Sequence, residues 1–241
     1  MSDSLLVLDD VRAGYGESVV LDGVSLEVPA HGGLAVLGRN GVGKSTLMLT
    51  IMGHTTQQRG RIIFDGRDIT RLPAHRRALA GIGWVAQERE IFPSLTVEEN
   101  LLVASRPGRW DLAAAYKLFP RLEERRGNRG NHLSGGEQQM LAFTRALLTN
   151  PKLIILDEPL EGLAPIIVEE LSGAIERMTA DRDMAFILIE QHADLALALT
   201  QTAVVIERGQ IVHRDDSSRL RADHAMLDRF VGLKVADSPG G

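Results

Sequence analysis

The stretch that constrains this chain most is GRNGVGKS, Gly38 to Ser45, which follows the apolar run LAVLG and leads into KSTLMLTIM. The pattern G-x-x-x-x-G-K-[ST] lets backbone N–H groups turn inward at the positive end of the helix that follows. Such a loop cradles phosphate. Gly38, Arg39, Asn40, Gly41, Gly43, Lys44, Ser45 and Thr46 are therefore the candidate phosphate-binding residues. Lys44 reaches the β/γ oxygens, and the Ser45 hydroxyl is placed to ligate Mg²⁺. A strand before the loop and a helix after it commit the surrounding chain to an α/β architecture.

The other segments agree. LLVLDDV and VVLDGVSLEV alternate as half-buried antiparallel strands, RIIFDGRDI reads as a hairpin turning at Asp65-Gly66, and GIGWVAQ is a short buried strand. From Glu88 to about Asn131 the pattern turns helical, with Ser94 or Thr96 as a cap and a break at Pro120. EQQMLAFTRALLTNP, Val168–Thr179 and Ala193–Thr200 read as helices, alternating with the strands LIILD and AFILIE before a hairpin AVVIERGQIVHR. That alternation predicts a parallel sheet with helices on both faces. The expected organisation is a core at 1–87 and 141–232, a helical lobe at 88–140 and a flexible tail at 233–241.

Two further motifs carry chemistry. LIILDEP ends a strand with Asp157, suited to holding a metal, and Glu158, placed to polarise a water attacking a terminal phosphate. LSGGEQQM puts Ser134, Gly135 and Gly136 at the start of a helix, a second anion-binding end almost ninety residues after the first. A simple N-cap accounts for one serine but not for the run Leu133 to Gln138.

Leu133-Ser134-Gly135-Gly136-Glu137 resembles the signature of the ATP-binding cassette (ABC) ATPases, and with the phosphate loop and LIILDEP in this order the resemblance spans nearly the whole chain. It implies a RecA-like P-loop NTPase core with a mixed sheet, an N-terminal antiparallel β subdomain and an inserted α-helical lobe. It implies ATP and Mg²⁺ as cofactors, with the signature binding the γ-phosphate of ATP held by an opposite cassette subunit. Tyr15 matches the aromatic that stacks on adenine. Gln87 matches the glutamine that reaches Mg²⁺ and the attacking water, so the implied metal ligands are Ser45, Gln87 and Asp157. Ile91 and Phe92 fall where the family shapes a groove for a membrane partner, although plain lobe core would also account for them.

Two positions depart from the family pattern. Its switch histidine aligns with Gln191, with His192 one residue later; a glutamine can hydrogen-bond a γ-phosphate but carries no charge. Gln191 is the preferred candidate, because neighbouring strand-end residues point to opposite sides. Ala164 replaces an aspartate that senses the opposite site, which implies asymmetric communication between sites.

A single soluble cassette with a small lobe resembles a bacterial importer subunit. The motif set is most similar to the branched-chain (hydrophobic) amino-acid uptake branch, with the urea and short-amide branch close by and a non-transport ATP switch as a further alternative. The implied partners are a second cassette, transmembrane permease subunits and, indirectly, a periplasmic solute-binding protein. The implied location is cytoplasmic, peripheral on the cytoplasmic face of the inner membrane.

Composition adds exclusions. Twenty-seven Lys and Arg against thirty-two Asp and Glu leave a formal charge of −5, which argues against a general nucleic-acid surface. No cysteine is present, so thiolate metal sites and disulfides are out. No run approaches the roughly 18 apolar residues of a membrane span, and MSDSLLVLDDV lacks the basic-then-apolar pattern of a secretory signal. The histidines form no metal-ligand spacing, and Trp84 and Trp110 read as core.

Overall fold

The computed structural model describes residues 4–179 and 184–231. Strands β1 (Ser4–Tyr15) and β2 (Ser18–Pro29) form a long hairpin, and β3 (Gly32–Leu37) feeds the phosphate loop and helix α1 (Lys44–Met52). After β4 (Thr56–Phe64), the two-residue β5 (Arg67–Asp68) and helix α2 (Ala74–Ala80), β6 (Ile82–Val85) enters the core. The lobe contains α3 (Val97–Leu102), α4 (Leu112–Leu118) and α5 (Pro120–Glu124). Helix α6 (Gly135–Leu147) runs from the lobe into the core. Next come β7 (Leu153–Asp157), α7 (Pro165–Thr179), β8 (Ala185–Ile189) and α8 (Ala193–Leu199). The described chain ends with the hairpin β9 (Thr202–Glu207) and β10 (Gln210–Asp216), then α9 (Ser217–Ala222) and α10 (His224–Val231).

Six strands form a mixed sheet in the order β10-β9-β3-β8-β7-β6, antiparallel only at β9–β10. A second, antiparallel sheet has the order β2-β1-β4-β5. Along β3 the side chains alternate between two cores: Leu34 and Val36 pack with α1 and the antiparallel sheet, while Ala35 and Leu37 pack with the helices of the opposite face. Strands β7 and β8 are buried on both faces, which is why LIIL and AFILI are unbroken apolar runs.

Helices lie on both faces of the large sheet, as expected, but unequally. One face of the large sheet carries α6, α7 and α8, but the other is shared between α1 and the antiparallel sheet. The apolar side of that small sheet, with Leu6, Leu8, Leu26, Val28, Ile62 and Phe64, must be covered by something, and α1 with the large sheet covers it.

The lobe divides at Pro120 as expected, because proline fits the first position of α5 but not the interior of a longer helix. Thr96 rather than Ser94 caps α3, in a reciprocal box with Glu99. Helix α7 begins at Pro165, three residues before the expected Val168, for the same proline reason. The short helices α2, α9 and α10 were not expected from periodicity. The tail at 233–241 lies outside the described residues. No helix among the described residues is long and apolar enough to cross a membrane.

Candidate functional site

The loop between β3 and α1 closes tightly under the sheet edge. A Cβ on Gly38 would lie 2.5 Å from the carbonyl oxygen of Ile206, so only glycine allows this passage. Lys44 is 5 % exposed, and its Nζ donates to the carbonyls of Gly38 at 2.8 Å and Arg39 at 3.1 Å. The same ammonium lies 3.9 Å from Glu158 Oε1. Burial holds its pKa below the ordinary lysine value, while Glu158 and Asp157 pull the other way.

A 330 Å³ cleft opens above the loop. Asn40, Gly41, Gly43, Lys44, Ser45 and Thr46 line one side, and Gln87, Glu158, Glu161 and Gln191 the other. Val20 of β2 completes the wall. Parallel pairing explains the convergence: β3, β7 and β8 end at the same edge, with Asp157 in register with Ile189. Arg39 and Tyr15 are exposed and stand outside the lining, Tyr15 at 49 % exposure where β1 turns into β2.

The two acids after LIIL differ. Asp157 is 4 % exposed, its Oδ1 has no hydrogen-bond partner, and its pKa is pushed up to about 6 by burial and then by Glu158 and Glu88. Glu158 sits in the left-handed region at φ 47°, a conformation that costs a non-glycine residue on the order of 1 kcal/mol or more. Its N–H donates to Ile189 O at 2.8 Å. Its Oε2 accepts from Gln87 Nε2 and Gln191 Nε2, each at 3.1 Å. Burial raises its pKa, as does contact with Glu161, against the pull of Gln191 and Lys44.

Gln191 lines the cleft, whereas His192 is exposed at the start of α8 and does not. Asp157, next in the chain to the cleft-lining Glu158, keeps an unpaired carboxylate oxygen, and Ser45 and Gln87 line the cleft; a carboxylate, a hydroxyl and an amide are donors that suit a hard, oxygen-seeking cation such as Mg²⁺. Among the described residues no cluster of three or more His, Cys, Asp or Glu forms a protein-only metal site.

Ser134, Gly135 and Gly136 lie outside this cleft. Ser134 caps α6: its Oγ accepts from Glu137 N at 3.3 Å, and its N–H donates to Glu137 Oε2 at 2.8 Å. Ser134 and Gly135 are exposed. Gly136 is packed instead, since a Cβ there would meet Ile167 Cγ1 of α7 at 2.9 Å. A kinked loop ties the two regions together: after Gln87, Arg89 (φ 65°) and Glu90 (φ 45°) turn left-handed. Arg89 Nε donates to Gln139 Oε1 at 3.2 Å, and Arg145 Nη2 donates to Glu90 O at 2.7 Å, both reaching α6. Ile91 packs against the lobe core, whereas Phe92 is exposed with the Arg145 guanidinium over its ring.

Sequence reasoning missed two carboxylates. Glu190 is fully buried; its Oε1 accepts from Leu160 N at 3.1 Å and its Oε2 from Gln191 N at 3.2 Å, bracing the loops after β7 and β8. Burial raises its pKa. Nothing in QHAD or LIE announces that role. Glu161 lines the cleft, and here a signal existed. Glu158-Pro159-Leu160-Glu161 has proline at the second position of a four-residue turn, and Glu161 N donates to Glu158 O at 3.3 Å. The ends of such a turn meet.

The ABC transporter family model matches residues 21–161. The high-affinity branched-chain amino acid transport ATP-binding protein BraG of Pseudomonas aeruginosa is 39% identical, covering 95% of this chain and 100% of that protein. A probable LivF of Archaeoglobus fulgidus, named for the same transport, is 34% identical over 91% of this chain and 95% of its own. The lipopolysaccharide export system ATP-binding protein LptB of Escherichia coli is 33% identical over 94% and 97%. Among solved structures, a nucleotide-free ATP-binding cassette from an ABC transporter superposes with a TM-score of 0.79, at 27% identity over 95% of this chain and 99% of that one.

Proposed function

This chain belongs to the ABC transporter family, and we propose that it is the ATP-hydrolysing subunit of an importer for branched-chain or other hydrophobic amino acids. One observation carries the reading. The phosphate loop, Gln87, Glu158 and Gln191 share one cleft, while Ser134, Gly135 and Gly136 stand outside it, with Ser134 and Gly135 exposed. A signature that cannot reach its own cleft is available to a nucleotide held by a second cassette.

In this reading the loop N–H groups hold the α- and β-phosphates, and Lys44 exchanges its carbonyl partners for phosphate oxygens. Tyr15 stacks on adenine. Asp157, Ser45 and Gln87 would hold Mg²⁺, which would supply neutralisation of the phosphate oxygens. Glu158 takes a proton from water as the water oxygen bonds to the γ-phosphorus and the bond to ADP breaks. Its raised pKa makes it a better proton acceptor than an ordinary carboxylate. Gln191 donates to the γ-phosphate without adding charge, a role supported by its place in the cleft lining, where His192 is absent.

The same proposal divides the chain into core (1–87, 141–232), lobe (88–140) and tail (233–241). It places the protein on the cytoplasmic face of a membrane against permease subunits, with Ile91 and Phe92 near that contact. Blocking hydrolysis with Glu158→Gln should trap a closed sandwich, seen by sedimentation only with Mg-ATP. Association with itself identifies a homodimer, and association with a co-encoded cassette alone identifies a heterodimer. A Lys44→Ala protein with unchanged ATP affinity would overturn the site. Leucine uptake that persists in cells lacking this chain would overturn the substrate class and favour export, the role of LptB.

A further inference from the structure

Glu161 has no part in the roles above, yet it occupies the same cleft wall as Glu158. The turn through Pro159 brings the two carboxylates together, and one group lies between them: Gln87 Nε2 is 2.8 Å from Glu161 Oε2 and 3.1 Å from Glu158 Oε2. A primary amide nitrogen has two hydrogens and no acceptor lone pair, so both of its donors are spent on carboxylates. The amide oxygen is thereby turned away from them.

We propose that Glu161 is a positioning residue that holds the Gln87 amide by its nitrogen, so that Gln87 offers its oxygen to the cation on bound nucleotide. This rests on the nucleotide-site reading above. The geometry gives Glu161 the larger share. Glu158 Oε2 already accepts from Gln191 as well as Gln87, and Glu158 must also present itself to water. A hold that depended on Glu158 alone would loosen when that carboxylate turned to its task. Glu161 makes the shorter of the two bonds to the Gln87 amide. A flipped amide would press its oxygen against two carboxylates, so the pair selects one orientation of an otherwise nearly symmetric group. Residues that orient metal ligands in this way typically matter by about 10–100-fold in metal affinity or rate.

The test compares Glu161→Ala with Glu161→Gln, whose carbonyl oxygen still accepts from Gln87. Glu161 is exposed, so neither change should disturb the core; matching thermal unfolding confirms it. With Mn²⁺ as the probe, electron paramagnetic resonance should show about tenfold weaker metal binding to the Glu161→Ala complex with ATP. Metal-free ATP affinity should stay within about twofold, kcat should fall about tenfold, and Glu161→Gln should restore most of both losses. In a Gln87→Ala background, Glu161→Ala should add nothing further, because the group it positions is gone. Unchanged Mn²⁺ binding in Glu161→Ala, or a loss that adds fully to that of Gln87→Ala, overturns the proposal. Lys44→Ala separates the two levels. If it binds ATP normally, the nucleotide site itself is misassigned; if it loses ATP while Glu161→Ala behaves as wild type, only the positioning role fails.

Discussion

Replacing Asp157 by asparagine should make the nucleotide-free protein more stable at neutral pH. The carboxyl is 4 % exposed, has an oxygen without a donor, and titrates at about 6 instead of 3.8. An acid whose folded pKa is raised holds its proton more tightly folded than unfolded. Its contribution to stability is therefore lost as pH rises from about 4 to about 6, and stays lost above that. Two pKa units correspond to about 3 kcal/mol. Asparagine removes the charge but brings an amide hydrogen that needs a partner, at a cost of about 1 kcal/mol or more. A net gain of about 2 kcal/mol raises Tm by about 4–8 °C in a chain of this size.

Scanning calorimetry of both proteins from pH 4 to pH 8 measures this directly. The variant should melt higher at pH 7.5, and its advantage should vanish near pH 4, where Asp157 is neutral in the folded protein. If Asp157 holds the cation as proposed, adding Mg-ATP should reverse the order, since ligand that binds only the folded state stabilises by mass action and asparagine offers the cation no negative charge. A variant that melts lower than wild type at pH 7.5 would refute the reasoning. So would an advantage that does not change with pH. Either result would mean that the buried carboxylate is already compensated within the protein.

Three further outcomes follow from the geometry. Gln191→Ala should slow hydrolysis by roughly 10²-fold through loss of a donor in the cleft, while His192→Ala stays within about twofold; steady-state ATPase rates decide, and the reverse ranking would move the switch to His192. Gly136→Ala drives a Cβ to 2.9 Å from Ile167 and should cost about 1–3 kcal/mol in urea unfolding; Gly135→Ala, which meets only the movable guanidinium of Arg89 at 3.2 Å, should cost less. Asn100→Leu removes a fully buried amide that donates to the carbonyls of Phe92, Leu95 and Thr96 and accepts from Phe92 N. It should cost about 3 kcal/mol by unfolding and raise hydrogen exchange selectively across 92–96.

The backbone of the motifs proposed to touch phosphate was legible because it is specified locally. A glycine loop before a lysine, a strand ending in two acids and a serine opening a helix each specify their own backbone within a few residues. Side chains that join distant segments were not. Arg77 reads as one charge among several in AHRRALA, yet it is buried and donates to four carbonyls: Thr50, Ile51, Thr70 and Leu72. Asn150 reads as a helix stop before Pro151, but α6 already ends at Leu147, with Leu148 as its cap. Asn150 itself turns left-handed at φ 51° and bonds both the N–H and the carbonyl of Trp110, forty residues away. Periodicity is blind to such work, because a polar residue that satisfies backbone groups in a loop has no spacing to repeat.

The cleft itself falls between these extremes, and Glu158 shows why. Its identity as the acid after the strand is local, but its left-handed backbone is imposed by the turn through Pro159 and by the bond from its N–H to Ile189 on the neighbouring strand. Glu190, buried behind it, accepts the N–H groups of Leu160 and Gln191 and so fixes the loops on both sides. A carboxylate held in a strained conformation, with burial and Glu161 raising its pKa, is costly to the empty protein. That cost is tolerable where a bound cation and water relieve it, so a strained backbone and raised carboxylate pKa values meet at this sheet edge. Asp157→Asn tests that trade. A protein in which this change stabilised the nucleotide-free form and weakened only the loaded one would have its least comfortable residue placed where nucleotide binding can use it.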